Sequence, residues 1–435
     1  MVKIIIMKKV MVAVSGGVDS GVSASLLMDR GFSVSGLFMR HRYQRTMDLD
    51  AGAEALKKWG EKSKLRVFST AADGTLIQTT WSPDSFPFPI PVDSVSAMEL
   101  AASIGIDLTI VDADAPFATI VDDFVDRYYS AQTPNPCILC NRVVKFGLLW
   151  EVAQKLGADF FATGHYVQKI RVGDWLEEQE RKKSLGIVGE GDETEFIDIP
   201  EWLRVNPDSC FIARSPTPKD QSYFLYRIKK ETLEKVIFPV GEFQKPYVRE
   251  IAERKNLSVA RRSDSQEICF VPDQERVNFI RHVRESHPER WKDVPEDTSG
   301  PFLSMDGKEI GRHVGYEKYT IGQRKGLGTG FGERIFVQKI IPETRSVVLG
   351  PYEALGVREI RAVDANWHAP VPIGEPFRCL IKIRYRNETN PATVRVFPDS
   401  TIVAVPDRPC YGVAPGQALV CYWNERLLGG GTIVV

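Results

Sequence analysis

The apolar run Val10-Met11-Val12-Ala13-Val14 leads directly into Ser15-Gly16-Gly17-Val18-Asp19-Ser20, and then into a helix-compatible stretch, Val22 to Arg30, that Gly31 stops. No other part of the chain restricts the fold as much. A β-rich strand, a Ser/Gly turn and a helix form the context in which backbone N–H groups at a helix N-terminus meet an anion. Two glycines let the backbone approach a phosphate closely, and Ser15 and Ser20 add hydroxyl donors. No Gly-Lys-Ser/Thr follows, so this is not a Walker loop. Two glycines alone are more often an ordinary turn. Six residues of one pattern in this context reverse that weighting.

At 435 residues the chain exceeds one ordinary core, which predicts two or three domains. With 43% hydrophobic and 26% charged residues, the composition is that of a soluble globular protein. No apolar stretch reaches bilayer-spanning length, so no membrane partner is expected. The segment Met1 to Lys9 has a short apolar run followed by lysines and no small-residue cleavage site. It reads as an N-terminal extension, with Met7 as a candidate start, and not as a signal peptide. A net charge of −1 excludes a globally basic nucleic-acid coat and leaves any RNA binding to local patches. Seven cysteines in this length are too few for a disulfide scaffold. They read as thiols, ligands or catalysts of a cytoplasmic protein.

The first half alternates strand and helix signals. Val34–Met39, Leu108–Val111 and Phe160–Thr163 read as strands, and Ser94–Ile104, Phe117–Ser130 and Val143–Leu156 as helices. This predicts an α/β fold with a doubly wound, mostly parallel sheet and its ligand at the C-terminal strand ends. Two segments interrupt the pattern. One is residues 42–93, with basic Lys57–Arg66 and Pro-rich Trp81 to Pro91; the other is the charged, Gly-punctuated 173–208. Flexible surface loops are the default reading of both. After about Pro272, short alternating runs such as Ile335–Ile341, Ser346–Leu349, Phe377–Tyr385, Ala392–Val396, Ala418–Tyr422 and Gly431–Val435 predict a barrel-like all-β module.

Thr133-Pro134-Asn135-Pro136-Cys137-Ile138-Leu139-Cys140-Asn141 holds two cysteines three apart, ahead of a helical stretch whose dipole favours a thiolate at Cys140. Cys269, in Ile268-Cys269-Phe270, is a third candidate. Cys210, Cys379, Cys410 and Cys421 have strand-like apolar neighbours and read as small buried hydrophobes. A lone Cys-x-x-Cys is half a zinc site, a redox pair or a catalytic thiol; the absence of a second Cys pair or a spaced His pair weakens structural zinc. The resemblance of Ser15–Ser20 to the SGGxDS signature of the PP-loop ATP pyrophosphatases implies an adenylating enzyme. Reactive thiols in such an enzyme suggest sulfur insertion, because a carbonyl oxygen leaves poorly until it carries AMP.

The PP-loop ATP pyrophosphatases cleave ATP to AMP and pyrophosphate. The chain as a whole resembles the tRNA-specific 2-thiouridylases, which convert the wobble uridine (position 34) of certain tRNAs to 2-thiouridine. The likeness runs through Ala13–Ser20, Gly36–Met39, Thr133–Asn141, Thr163–Tyr166, Lys219–Leu225, Phe238–Glu242, Ile268–Phe270, Thr320–Gly328, Arg384–Arg386 and Pro415–Gln417, nearly end to end apart from the two insertions. It implies a PP-loop domain over 1–272, a small central domain over 273–355 and a C-terminal, tRNA-contacting β-barrel over 356–435. It further implies that Ala13, Val14, Ser15, Gly16, Gly17, Val18, Asp19, Ser20, Met39 and Gly164 contact ATP, used with Mg2+. Cys269 would carry a persulfide delivered by a sulfur-donor protein, and Cys140 would be its partner thiol, the two closing as a disulfide after transfer. Asn135, Pro136 and Cys137 would face the flipped-out base, and His165, Lys219, Asp220, Gln221, Arg384, Tyr385 and Gln417 would contact the tRNA.

Each of these has a plainer reading. His165 alone is more often a brace at a strand end, Lys219-Asp220 a surface turn, and Arg384 and Arg386 the solvated face of a strand. The basic stretches Lys245–Arg262 and Arg312–Lys325 are candidates for tracking the tRNA backbone, although short charge runs are usually solvated helix faces. The chain also departs from its relatives. Many of them carry Asp, a proposed acid/base, where this chain has Cys137, so that role does not transfer. With Cys137, Cys140 and Cys269, a [4Fe–4S] cluster that activates sulfide is the alternative to the persulfide. Arg40-His41-Arg42 opens a long insertion, and relatives' contacts from that loop are not carried over. Outside sulfur transfer stand another PP-loop ligase, which needs no cysteines, and a non-catalytic nucleotide- or tRNA-binding protein.

Overall fold

Alternating strands and helices build a parallel sheet, because a parallel connection needs a crossover and the helices supply it. The computed structural model describes residues 7–47, 49–59, 62, 64–70, 75–79, 90–184, 198–204, 206–262, 268–271, 275–328 and 334–434. The chain divides into two compact units. The first is Met1–Thr119, Leu139–Arg171 and Asp208–Val271; the second is Ile120–Ile138, Val172–Pro207 and Pro272–Val435.

In the first unit the strands are β1 (Lys9–Ala13), β2 (Ser33–Arg40), β3 (Arg66–Thr70), β4 (Leu76–Thr79), β5 (Asp107–Asp112), β6 (Phe160–Ala162), β7 (Val167–Arg171), β8 (Cys210–Arg214) and β9 (Val236–Ile237). Seven of them form one sheet in the order β4-β3-β5-β2-β1-β6-β9, parallel except where β4 runs against β3. β7 and β8 pair as an antiparallel hairpin. Val10, Val12, Leu108 and Ile110 fill the sheet's interior with Val22, Leu27, Leu100, Val248 and Ile251 from its helices. Each contributes roughly 1.5–3 kcal/mol by leaving water. The helix Val18–Asp29 buries small residues, Ser20, Gly21, Ser23 and Ala24. They permit close packing: a Cβ on Gly21 would lie 3.1 Å from Leu100. From β1 the chain turns to β2 on one side and later returns to β6 on the other. Such a reversal opens a crevice at the strands' C-terminal ends, where Ser15–Gly17 lies.

The second unit holds β10 (Gly300–Leu303), β11 (Glu309–His313), β12 (Phe336–Ile341) and β13 (Ser346–Gly350), a sheet in the order β11-β10-β13-β12. There follow β14 (Gly356–Val357), β15 (Ile360–Trp367), β16 (Pro376–Lys382), β17 (Asn390–Val396), β18 (Ile402–Pro406), β19 (Cys410–Tyr411), β20 (Ala418–Trp423) and β21 (Arg426–Val434). Antiparallel pairing runs β15-β18-β17-β16-β20-β21, and β21 pairs again with β15. The barrel is therefore closed, as the alternating runs predict. Cys379, Cys410 and Cys421 are buried in these strands and Cys210 is half-buried in β8, the small apolar role expected of them. No described helix is long and apolar enough to cross a membrane.

Both insertions depart from the expectation of loops. In the first, the helix Leu49–Trp59 and strands β3 and β4 widen the sheet; residues 81–89 of the Pro-rich run lie outside the described residues. The second begins as a helix, Val172–Ser184, and belongs to the second unit. Trp175 Nε1 donates to Glu425 Oε1 at 2.5 Å, and the Arg426 guanidinium lies 5.2 Å from the centre of the Trp175 ring. Arg426 also donates to Leu203 O at 3.1 Å, and Trp202 meets Phe377 and Trp423 edge-on. A few aromatic anchors in a charged segment bind it to the barrel. Trp175→Ala removes one of them, and the local loss is about 2 kcal/mol. Limited proteolysis should then cut within 172–204 faster than in wild type while the rest stays resistant; equal cutting rates would show that the helix is not anchored there.

Candidate functional site

The turn after β1 is shaped by bonds inside its own sequence. Ser20 Oγ donates to Gly17 O at 3.0 Å and accepts from Ser15 N at 3.2 Å. Gly16 has φ +71°, and a Cβ there would lie 2.8 Å from Asp93 O, so only glycine fits. Gly17 caps the helix Val18–Asp29 without a side-chain bond, which leaves the first-turn N–H groups to a ligand. Arg262 holds the turn from outside: it donates to Gly16 O at 2.8 Å and pairs with Asp93. Val14 is anchored through its N–H to Leu37 O, and half-buried Ala13 and Met39 end β1 and β2 at the same edge.

The segment after β6 meets this turn across the switch point. A Cβ on Gly164 would lie 2.9 Å from the backbone of Asp19 and Ser20, so glycine is required for the approach. Tyr166 donates its hydroxyl to Asp19 Oδ1 at 2.6 Å, and Lys245 Nζ bonds the same oxygen at 2.5 Å. Gln221 fixes Tyr166 from both sides: its Oε1 accepts from Tyr166 N, and its N–H donates to Tyr166 O, each at 2.9 Å. Asp220 accepts from Ser215 N, Ser222 N and Ser222 Oγ. Lys219 is half-buried in this turn. His165 is buried, shares a 2.7 Å hydrogen bond with Thr163 Oγ1 and packs against Phe146 and Phe238. Burial holds it neutral, with its pKa well below the usual value. Among these bonds, those of Gln221 hold Tyr166 and through it Asp19, those of Asp220 close its own turn, and that of His165 goes to Thr163. Lys245 and Arg262, read as backbone-tracking cations, serve the loop.

Pro136–Cys140 forms the first turn of a helix that continues through a nine-residue π-helical stretch, Asn141–Leu149, to Lys155. Cys140 therefore sits one turn inside the helix and not at the head of a helix beginning near Val143. π geometry is rare and concentrates at functional sites. Asn141 anchors the stretch by donating to Phe224 O at 3.2 Å. Cys140 is buried, whereas Cys137 and Cys269 are exposed, and no disulfide links any of the three. Among the described residues, no three His, Cys, Asp or Glu side chains are grouped to hold a metal ion.

In the second unit, Gln417 donates its amide to Thr133 O at 3.0 Å and Pro134 O at 3.1 Å. Gly416, with φ +87°, would place a Cβ 2.9 Å from Thr133 O. The Pro415–Gln417 turn thus supports the strand-like lead into Asn135 and Pro136. Arg384 and Tyr385 lie in the turn between β16 and β17, not on a strand face, and Arg384 Nη2 donates to Ile321 O at 2.8 Å.

One cluster escaped the sequence reading. His41 is buried and stacks flat on Phe117, with ring centres 3.5 Å apart and planes within 6°; Phe270, beside Cys269, meets Phe117 edge-on at 5.5 Å. Arg40 pairs with Asp112 at 3.2 Å and Asp114 at 2.6 Å below it. The ordered aromatic wall therefore reaches the Cys269 segment from the end of β2. Its only local signal is a His two residues after Phe38-Met39, which is too weak to single out. Burial drives the His41 pKa down to about 3, opposed by Asp114 and aided by Arg40. The unfolded chain takes up this proton first, near 6.5, so the stabilisation is complete above that pH and lost as pH falls toward 3. His41→Phe keeps the stack and removes the titration. Between pH 8 and 5, wild type should lose about 2 kcal/mol more unfolding free energy than this variant in denaturant titrations. Parallel losses would show that His41 does not titrate as its burial requires.

Known proteins resemble the chain over its length. The family model described as "tRNA methyl transferase HUP domain" matches residues 8–66 and 78–273. Those described as "tRNA methyl transferase PRC-barrel domain" and "Aminomethyltransferase beta-barrel domain" match 292–351 and 357–433. The tRNA-specific 2-thiouridylase MnmA of Syntrophotalea carbinolica is 34% identical over 427 residues, covering 98% of each chain. The proteins of that name from Geobacter metallireducens and Rhodopirellula baltica are 35% and 36% identical, each over 98% of this chain and 96% of their own. With its glycine-dependent loop at the switch point of a parallel sheet and this likeness from end to end, the chain belongs to the tRNA-specific 2-thiouridylase family.

Proposed function

We propose that the protein is a tRNA sulfurtransferase that uses ATP to replace the 2-oxygen of the wobble uridine, position 34, with sulfur. The observation that carries this is the glycine-dependent packing of the Ser15–Ser20 turn, with Gly164 against the backbone of Asp19 and Ser20 and Gly16 against Asp93. Such a cradle leaves backbone N–H groups for phosphates. Ala13 to Ser20, Met39 and Gly164 would hold ATP, and Asp19 would hold Mg2+, which offsets charge on the phosphates when bound.

In this reading the uridine 2-oxygen attacks the α-phosphorus and pyrophosphate leaves. The terminal sulfur of a Cys269 persulfide then attacks C2, and AMP leaves with the oxygen. Cys140 attacks Cys269 Sγ, forming a Cys140–Cys269 disulfide as the sulfur departs on the base. An external thiol reductant restores both cysteines. The exposure of Cys269 suits loading by a sulfur-donor protein, and the burial of Cys140 suits a thiol that reacts only afterwards. Asn135, Pro136 and Cys137 would face the base, and His165, Lys219, Asp220, Gln221, Arg384, Tyr385 and Gln417 would contact the tRNA. We assign the PP-loop domain to 1–272, the central domain to 273–355 and the tRNA-contacting barrel to 356–435, in a cytoplasmic enzyme.

Asp19→Asn should cut tRNA-dependent pyrophosphate release about 100-fold, the scale of losing one preorganised electrostatic group. Cys140→Ser and Cys269→Ser should keep pyrophosphate release and lose 2-thiouridine, measured by mass spectrometry of nucleosides. Thiolation that survives both cysteine changes would refute the thiol route. Anaerobically purified enzyme whose activity tracks bound iron and sulfide would replace the persulfide with a [4Fe–4S] cluster on Cys137, Cys140 and Cys269.

A further inference from the structure

The second unit carries an exposed aromatic pair that no step above uses. Tyr352 and Tyr411 stack with ring centres 4.6 Å apart and planes within 9°, yet they are 46% and 38% exposed. Tyr352 opens the 3-10 turn Tyr352–Leu355, and Tyr411 sits in β19 opposite Gly356 of β14. Phe336, at the start of β12, packs against Tyr352 at 5.4 Å. Two large rings held parallel at a surface, and not folded into the core, form a rigid π-platform with little entropy left to lose on binding.

Cations adjoin the platform on the same unit. Gly412 follows Tyr411, and a Cβ there would lie 3.3 Å from Arg384 Nη2, so the guanidinium packs on the backbone beside the ring. Arg384 in turn bonds Ile321 O, and Gly322 and Gln323 exchange backbone bonds with Val337, next to Phe336. This loop presents Arg324 and Lys325 to solvent, and its Gly322, Gly326 and Gly328 all have positive φ. Arg384 thus links the turn that carries Tyr411 to the loop that carries Arg324 and Lys325.

We propose that the Tyr352–Tyr411 pair is a stacking platform for an unpaired nucleobase of the RNA substrate, with Arg324 and Lys325 meeting the adjoining phosphates. Unstacked bases are held on aromatic faces and their backbones by Arg and Lys, which is the chemistry these residues display. The inference rests on the tRNA reading above and extends it to a tyrosine pair which that reading does not include.

The test is equilibrium binding of an unmodified tRNA transcript to the full chain across a salt series. Tyr352→Ala/Tyr411→Ala should weaken binding about 10-fold without changing the slope of log affinity against log salt, because stacking releases no counterions. Tyr352→Phe/Tyr411→Phe should bind within about twofold of wild type, since the ring and not the hydroxyl stacks. Lys325→Gln should make the slope shallower by about one. Should the double alanine variant melt early, Tyr352→Ala alone, which leaves β19 intact, decides the matter by the same criteria. Wild type that binds while both alanine variants bind equally well overturns the platform and leaves the tRNA reading standing. Wild type that does not bind tRNA overturns both. Unchanged tRNA affinity with slower loading by a sulfur-donor protein would overturn the platform in favour of a protein contact.

Discussion

Asp19 is the joint on which the first unit's active edge depends. It stands in the first turn of the helix after β1 and accepts from Tyr166 and Lys245, residues 147 and 226 positions away. A lone carboxylate beside a phosphate loop would repel the ligand, by about 1–4 kcal/mol at 4 Å near a surface. Lys245 offsets that charge. Tyr166 adds a charge-assisted hydrogen bond, a class that contributes about 1.5–3 kcal/mol. Gln221 then holds Tyr166 by two backbone bonds, so the Lys219–Leu225 motif acts on the nucleotide loop through a single phenol. Replacing Gly164 with any larger residue would push the two loops apart at the point where they must meet.

The elements legible in the sequence are those specified by local pattern. β1, the Ser/Gly turn and its helix were legible because strand run, glycines and helix lie within twenty residues. The alternating runs after residue 330 became β12, β13 and the barrel strands, because a period of two fixes which face is buried. Direction was much less legible than type. Asp220, Gln221 and Gln417 are polar residues in motifs, and sequence does not say whether such a side chain faces solvent or a backbone carbonyl. Here Gln417 takes Thr133 and Pro134, and Asp220 takes its own turn. The insertions were illegible for a related reason: Trp175 finds its partner 250 residues away, and nothing near it marks that surface. His41 is likewise a single residue whose meaning comes from Phe117 and Phe270.

The proposed relay asks different things of its two thiols. A thiol that accepts sulfur from another protein must be reachable, and Cys269 is exposed on a short turn. A thiol that resolves the product must not compete for that delivery, and Cys140 is buried within a helix. The π-helical stretch beginning at Asn141 follows it immediately and is tied down through Phe224. Phe270, next to the exposed thiol, packs edge-on against Phe117.

A chain with net charge −1 that handles a polyanion has little cation to spare. Several arginines of the second unit are already engaged by carboxylates: Arg290 by Asp122 and Asp126, Arg281 by Glu317, and Arg378 by Asp407. In the proposed platform the phosphate contacts come from local groups, Arg324 and Lys325, and salt weakens each of them. Stacking is less exposed to that loss, because it draws on apolar burial and π-contact. An exposed, rigid tyrosine pair beside a few cations is the economical solution for a near-neutral protein, since it adds affinity for unpaired RNA without adding charge that would attract every other polyanion in the cell.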